Sequence, residues 1–209
     1  MAYTLLKLTE RGVVLWRYHA LRLGVVPGST TASDLAARAR AAETGVWAVE
    51  VEPHGPPRWQ RREGSSLRDG MPVRLAPTPL VGVSGAVPKS APPGPYRALR
   101  RPGTVTLVTT LDGTEIVEAC RAAVIGWDGS RIVCVPEDRP RVWSTAEAAV
   151  RGGLIVRVAP LAVRSAMPLL LVNAVKGTCA IDLPGRADFP VAVRRNVERL
   201  LLSTAAWPG

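Results

Sequence analysis

The stretch Glu115-Ile-Val-Glu-Ala-Cys-Arg-Ala-Ala-Val124 reads as a strand, and side chains on a strand alternate between its two faces. On that pattern Ile116, Glu118, Cys120, Ala122 and Val124 share one face. All but Glu118 are apolar or small, so Glu118 is a carboxylate directed at a core. An ionised carboxylate there is costly unless a cationic donor meets it. A buried Glu–Arg pair is one way to satisfy it, and a functional site is the other.

Working outward, Thr104–Thr110, Ile116–Ile125 and Arg131–Val135 form a strand series with turns at Asp112-Gly113 and Asp128-Gly129. Such turns are hairpin signals, so this sheet is expected to be antiparallel. Ser144-Thr-Ala-Glu147 matches a capping box, in which Ser144 caps a helix and Glu147 reaches back to the cap amide. Strands resume at Leu154–Val158, Leu169–Val172 and Thr178–Ile181. A closing helix runs from about Pro190, with Val193, Val197, Leu200 and Leu201 on one face.

Upstream, Val87-Pro-Lys-Ser-Ala-Pro-Pro-Gly-Pro95 cannot hold a regular strand or helix, because its four prolines remove donors and fix the backbone. It marks a boundary between a smaller N-terminal α+β lobe, residues 1–86, and a C-terminal lobe, residues 87–209. In the first lobe, Thr4–Thr9 and Val13–Tyr18 read as a hairpin around Glu10-Arg-Gly12. A helix opens near Thr31 and ends at Gly45, and strand-like runs follow at Val46–Val51, Pro72–Leu75 and Leu80–Val83.

The 209 residues, 47% of them hydrophobic, suffice for one substantial domain or two small ones sharing an interface. A balance of 27 basic against 17 acidic residues, formally +10, suits nucleic acid, a membrane surface or small carboxylated and phosphorylated ligands. The basic residues are scattered, with short clusters at Arg58–Arg62 and Arg97–Arg101, and the aromatic residues are not interleaved with a basic stripe. That argues against a nucleic-acid partner. Cys120, Cys134 and Cys179 are odd in number, widely spaced and set in apolar runs, so they read as reduced core residues. His19 and His54 are too few and too isolated for a metal site. No basic N-terminal segment precedes a long apolar run, and no stretch approaches membrane-spanning length, so a cytoplasmic protein with no membrane partner is expected.

Taken in order, Arg17-Tyr-His-Ala-Leu-Arg-Leu23, Lys89, Val117-Glu-Ala-Cys-Arg-Ala-Ala-Val-Ile125, Ser144-Thr145 and Leu171-Val-Asn-Ala-Val-Lys-Gly177 resemble the class IV fold-type aminotransferases. That family binds pyridoxal 5′-phosphate (PLP) and includes branched-chain and D-amino-acid aminotransferases and aminodeoxychorismate lyase. The resemblance covers most of the chain and is strongest from Gly113 to Asp182. Val172-Asn-Ala-Val-Lys-Gly177 is closest to the lyase-like and short actinobacterial-type members. It implies a two-lobe α+β fold like that of D-amino-acid aminotransferase, with mostly antiparallel sheets and PLP held in the C-terminal lobe. It also implies a small amino acid or aminodeoxychorismate-like substrate, acted on by a lyase or a transaminase, and a homodimer.

The resemblance also gives each matched residue a role. Lys89, one of only three lysines with Lys7 and Lys176, is the amine that would condense with the cofactor aldehyde; its Pro-rich neighbours equally suit a solvated linker lysine. Glu118 would hold the pyridine nitrogen protonated. Arg22, in the His19-to-Leu23 pattern, would bind the phosphate together with Ser144 and Thr145 at a helix start. Ala174 stands where family members commonly carry a hydroxyl, so its backbone amide replaces that contact or the contact is lost. Ala123, Val124 and Ile125 replace the asparagine and aromatic usual after the glutamate strand, and the chain is short before Lys89. These departures support a rival reading, a catalytically degenerate binding module of the same fold.

Overall fold

The computed structural model describes residues 2–52, 55–63, 67–89 and 94–203; His54 lies outside them. The chain opens with β1 (Ala2–Thr9) and β2 (Gly12–Val13), an antiparallel hairpin pairing Leu8 with Val13. The second strand is much shorter than the sequence suggests. Leu15 takes a left-handed conformation (φ 58°) and α1 (Trp16–Leu23) starts at once, so Trp16, Arg17 and Tyr18 are helical. After α2 (Thr30–Ala41), β3 (Gly45–Val51) and β4 (Arg58–Arg62) complete a sheet of order β2-β1-β3-β4. The Arg58–Arg62 cluster is thus an edge strand, a place where charged side chains discourage further pairing.

The alternation along β1 gives this sheet two distinct faces. Leu6 and Leu8 pack with Leu23, Leu35 and Ala39 of the two helices, while Leu5 faces the other way, into a cavity described below.

The remainder is two packed sheets with helices behind one of them. Strand β5 (Val73–Pro77) is followed by β6 (Ala86–Val87), a 3-10 turn at Arg97–Leu99, β7 (Val105–Thr109), β8 (Glu115–Ala119), β9 (Ala123–Trp127), β10 (Ile132–Cys134) and β11 (Arg141–Val142). Then come α3 (Thr145–Gly153), β12 (Val156–Val158), β13 (Leu161–Ala162), β14 (Leu169–Asn173), β15 (Gly177–Ala180) and α4 (Val191–Ser203). The second sheet runs β13-β8-β7-β5 and the third β12-β10-β9-β14-β15. Among the described residues most strand pairs are antiparallel, so the expected α+β class with mostly antiparallel sheets is the one observed.

The third sheet is buried on both faces. Leu169 and Leu171 point into a core shared with Leu107, Ile116 and Val117 of the second sheet. Leu170 and Val172 point into another core with Ala146, Ala149 and Val150 of α3 and Val197 and Leu201 of α4. A strand buried on both faces reads as a continuous apolar run, as Leu169–Val172 does.

Two expected strands do not form as read. The run Ile116–Ile125 is two strands, because the chain reverses at Cys120-Arg121, where Ala119 and Ala122 exchange backbone hydrogen bonds of 2.9 and 3.3 Å. No Gly, Asn or Pro punctuates that turn, so sequence reading misses it. The turn is a corner at which the chain leaves the second sheet for the third. Leu80–Val83 forms turns and not a strand. In addition, β5, which precedes residue 87, pairs in parallel with β7, so a single sheet spans the expected joint at 86/87.

Candidate active site

The corner between β8 and β9 sets Glu118 at the junction of two sheets, only 5% exposed. Its Oε1 accepts hydrogen bonds from the Tyr96 hydroxyl and from the Val142 amide, the latter at 2.6 Å. Among the described residues Glu118 makes no ion pair. Burial pushes its carboxyl up to about 8, against the opposing pull of those two hydrogen bonds and of the Arg141 charge. The buried Glu–Arg pairing considered from the sequence belongs to another carboxylate: Glu147 meets Arg141 at 3.3 Å and Arg151 at 2.7 Å.

Lys89 is placed by backbone pairing despite its prolines. Strand β6 runs parallel to β11, with Ala86 opposite Arg141 and Val87 opposite Val142, and the Trp143 amide donates to the Val87 carbonyl at 2.9 Å. Lys89 follows two residues later. Its Nζ lies 5.4 Å from the centre of the Tyr3 ring. Lys89 is half-buried, and burial followed by the charges of Arg22 and Arg100 lowers its amine to about 7.

Arg22 comes from the last turn of α1, a helix locked to β1 by a 2.6 Å hydrogen bond between His19 Nδ1 and Thr4 Oγ1. The Arg22 Nη2 donates to the Trp143 carbonyl, and its guanidinium lies 5.2 Å from the centre of the Trp143 ring. Its Nε is buried with no partner among the described residues. Burial lowers the group to about 10, with Glu118 pulling the other way.

Ser144 caps α3 as expected, its Oγ accepting from the Glu147 amide at 3.3 Å. The reciprocal half of the capping box is not made, because the Glu147 carboxylate is turned to Arg141 and Arg151. The amides of Thr145 and Ala146, in the first turn, have no partner within the helix and stand at its positive end. Across from them, Asn173 organises the turn after β14: its Oδ1 accepts from the amides of Val175 and Lys176 at 2.8 and 3.1 Å, and its Nδ2 donates to the Arg121 carbonyl. Ala174 sits inside that turn.

Arg22, Lys89, Glu118, Ser144, Thr145 and Ala174 all line one cavity of about 430 Å³. Leu5, Val46 and Glu63 of the N-terminal region also line it. Such a volume is typical of small-molecule sites. Sequence reading missed Tyr96, Val142 and Trp143, which contact the expected residues directly. Trp143 stands next to Ser144 in the chain, but Tyr96 lies beyond the prolines and carries no spacing signal.

The donor set fits PLP. An orphaned, buried arginine nitrogen and free helix-start amides suit a phosphate, a carboxyl suits a pyridine nitrogen, and an amine lowered to about 7 suits an aldehyde. Among the described residues no cluster of His, Cys, Asp or Glu could hold a metal ion, and no helix is long and apolar enough to cross a membrane.

No family model and no curated protein matches the chain. Solved structures do. The 4-amino-4-deoxychorismate lyase from Pseudomonas aeruginosa superposes with a TM-score of 0.65 at 14% identity, covering 97% of this chain and 90% of the lyase. A hypothetical aminotransferase from Mycobacterium tuberculosis, in its α-ketoglutarate- and PMP-bound form, gives 0.68 at 14% identity over 98% of this chain and 88% of its own, and also has a PLP-bound form. The fold IV transaminase from Curtobacterium pusillum gives 0.61 at 16% identity over 97% and 84%. The chain therefore has the class IV aminotransferase fold.

Proposed function

We propose that this chain is a PLP-dependent enzyme that acts on a small amino acid or aminodeoxychorismate-like substrate, as a lyase or a transaminase. The observation that carries the reading is the convergence of Lys89, Glu118, Arg22 and the start of α3 on one cavity. When bound, PLP supplies an electron sink for charge left on the substrate carbon beside the amine. Lys89 Nζ would meet the aldehyde of a bound PLP as the free amine, and a value near 7 suits it to carry a proton at neutral pH. Glu118 holds a proton at the pyridine nitrogen. Arg22, Ser144 and the amides of Thr145 and Ala146 bind the phosphate; the Ser144 oxygen already accepts the cap bond, so its hydroxyl proton is what it can donate. Ala174 has no hydroxyl to add and contributes its backbone amide.

Lyase action is favoured over transamination, because the Val172–Gly177 segment resembles the lyase-like members. A homodimer working in the cytoplasm completes the proposal. To test it, PLP is added, the adduct is reduced with borohydride and the peptides are mapped. The adduct should fall on Lys89; a label elsewhere, or none, sinks the assignment. Pyruvate released from aminodeoxychorismate without a keto-acid acceptor would mark the lyase, and cofactor amination by an amino acid without pyruvate would mark the transaminase. PLP bound at Lys89 with neither reaction would leave the degenerate binding module.

A further inference from the structure

Residues 141–144 hydrogen-bond to the strand leading to Lys89, to Glu118, to Arg22 and to the start of α3. The Arg141 amide donates to the Gly85 carbonyl at 3.3 Å and the Trp143 amide to that of Val87, which holds the strand leading to Lys89. The Val142 amide binds Glu118, the Trp143 carbonyl receives Arg22, and Ser144 caps α3. Within this segment the one charged side chain is Arg141, and it is only 5% exposed.

Its guanidinium is anchored from two directions. Nη1 donates to the Pro136 carbonyl at 2.7 Å and Nη2 meets Glu147 Oε1 at 3.3 Å, while Nε is buried with no partner among the described residues. The same Glu147 oxygen also accepts Arg151 Nε at 2.9 Å and Nη2 at 2.7 Å. One buried carboxylate is thus shared by two guanidiniums. Arg151 gains a second, solvent-exposed carboxylate in Glu137 at 3.9 Å. Glu118 also lies within electrostatic reach of Arg141.

We propose that Arg141 is a positioning residue for this site: it anchors β11 so that the Val142 amide meets Glu118, and its half-compensated charge favours the ionised form of that carboxyl. The inference rests on the PLP reading for its purpose but not for its geometry. The other charged and titratable groups that act on Glu118 are Tyr96 from the 3-10 turn, Arg22 from α1, Cys120 from the corner and Glu147 from α3. Removing the Arg141 charge and removing the Glu147 charge should therefore move Glu118 in opposite directions.

The test titrates the Glu118 side-chain carboxyl by 13C NMR in the full ligand-free chain, for wild type, Arg141→Met, Arg141→Lys and Glu147→Gln. PLP affinity of each is measured by absorbance, and folding is checked by circular dichroism. Arg141→Met should raise the Glu118 midpoint by about one pH unit or more and weaken PLP binding about tenfold. Arg141→Lys should restore most of the midpoint, and Glu147→Gln should lower it. Should Arg141→Met fail to fold, Arg141→Gln, which keeps a side-chain donor for the Pro136 carbonyl without the charge, takes its place, and its Glu118 midpoint must rise in the same way. Midpoints that stay at the wild-type value in the folded variants overturn the proposal. If wild type takes up no PLP, the cofactor reading fails while the NMR midpoints still decide the role of Arg141.

Discussion

A carboxyl titrating near 8 and an amine titrating near 7 share one cavity, so near neutral pH the ligand-free site holds both close to their switching points. For Glu118 the folded value lies above the ordinary 4.5, so the unfolded chain gives up this proton first as pH rises. The contribution of this group to stability is therefore fully present below about 4.5 and is lost as pH climbs toward 8. Glu118→Gln keeps both acceptor bonds and removes the charge. It should flatten the decline in melting temperature between pH 5 and 8 and stabilise the ligand-free protein at pH 8 by on the order of 2 kcal/mol, as thermal melts would report. In the PLP-loaded protein the same variant should lose turnover more than cofactor affinity, because a neutral amide does not hold a pyridinium by charge. Lys89 gives a kinetic counterpart. Only its unprotonated form attacks an aldehyde, so the rate of PLP uptake should rise about tenfold per pH unit below 7 and level off above it. Stopped-flow absorbance would show this, and a rate still rising at pH 9 would place the amine in ordinary solvent. At this scale the sequence is informative about which side chain is anomalous, because alternation exposes a carboxylate among apolar neighbours. It is silent about Tyr96 and Val142, since those contacts cross long stretches of chain.

Among the elements, α3 is legible because its start is written in local chemistry: Ser144 and Glu147 stand at cap spacing, and the cap bond forms. Ser144→Ala should cost about 1 kcal/mol of stability in denaturant titrations, and it should also weaken PLP binding if the hydroxyl donates to phosphate. A stability loss without any change in PLP affinity would restrict Ser144 to its structural role. The side chain of Glu147 goes elsewhere because two arginines arrive from β11 and from the next turn of the helix, which local spacing cannot reveal. The corner at Cys120-Arg121 is illegible for a related reason. Its geometry is imposed by two sheets meeting, not by a residue that prefers a turn, so a run with no Gly, Pro or Asn to break it passes for one strand.

For the whole molecule, mixed α and β content and antiparallel hairpins are legible in the residues alone. The parallel pairing of β5 with β7 is not, because a parallel neighbour is joined by a long crossover that leaves no turn signature. That pairing bears on how the polypeptide can be divided. Strand β5 belongs covalently to the first 86 residues but lies at the edge of the second sheet, hydrogen-bonded from Val73–Val105 to Pro77–Thr109. Severing the chain at 86/87 would not release two self-sufficient pieces. Each fragment would carry half of a strand interface, and the larger would present β7 as a bare edge open to aggregation. Produced apart, the fragments should be poorly folded; produced together, they should reassemble without a covalent link, a split protein whose two parts report on each other's presence.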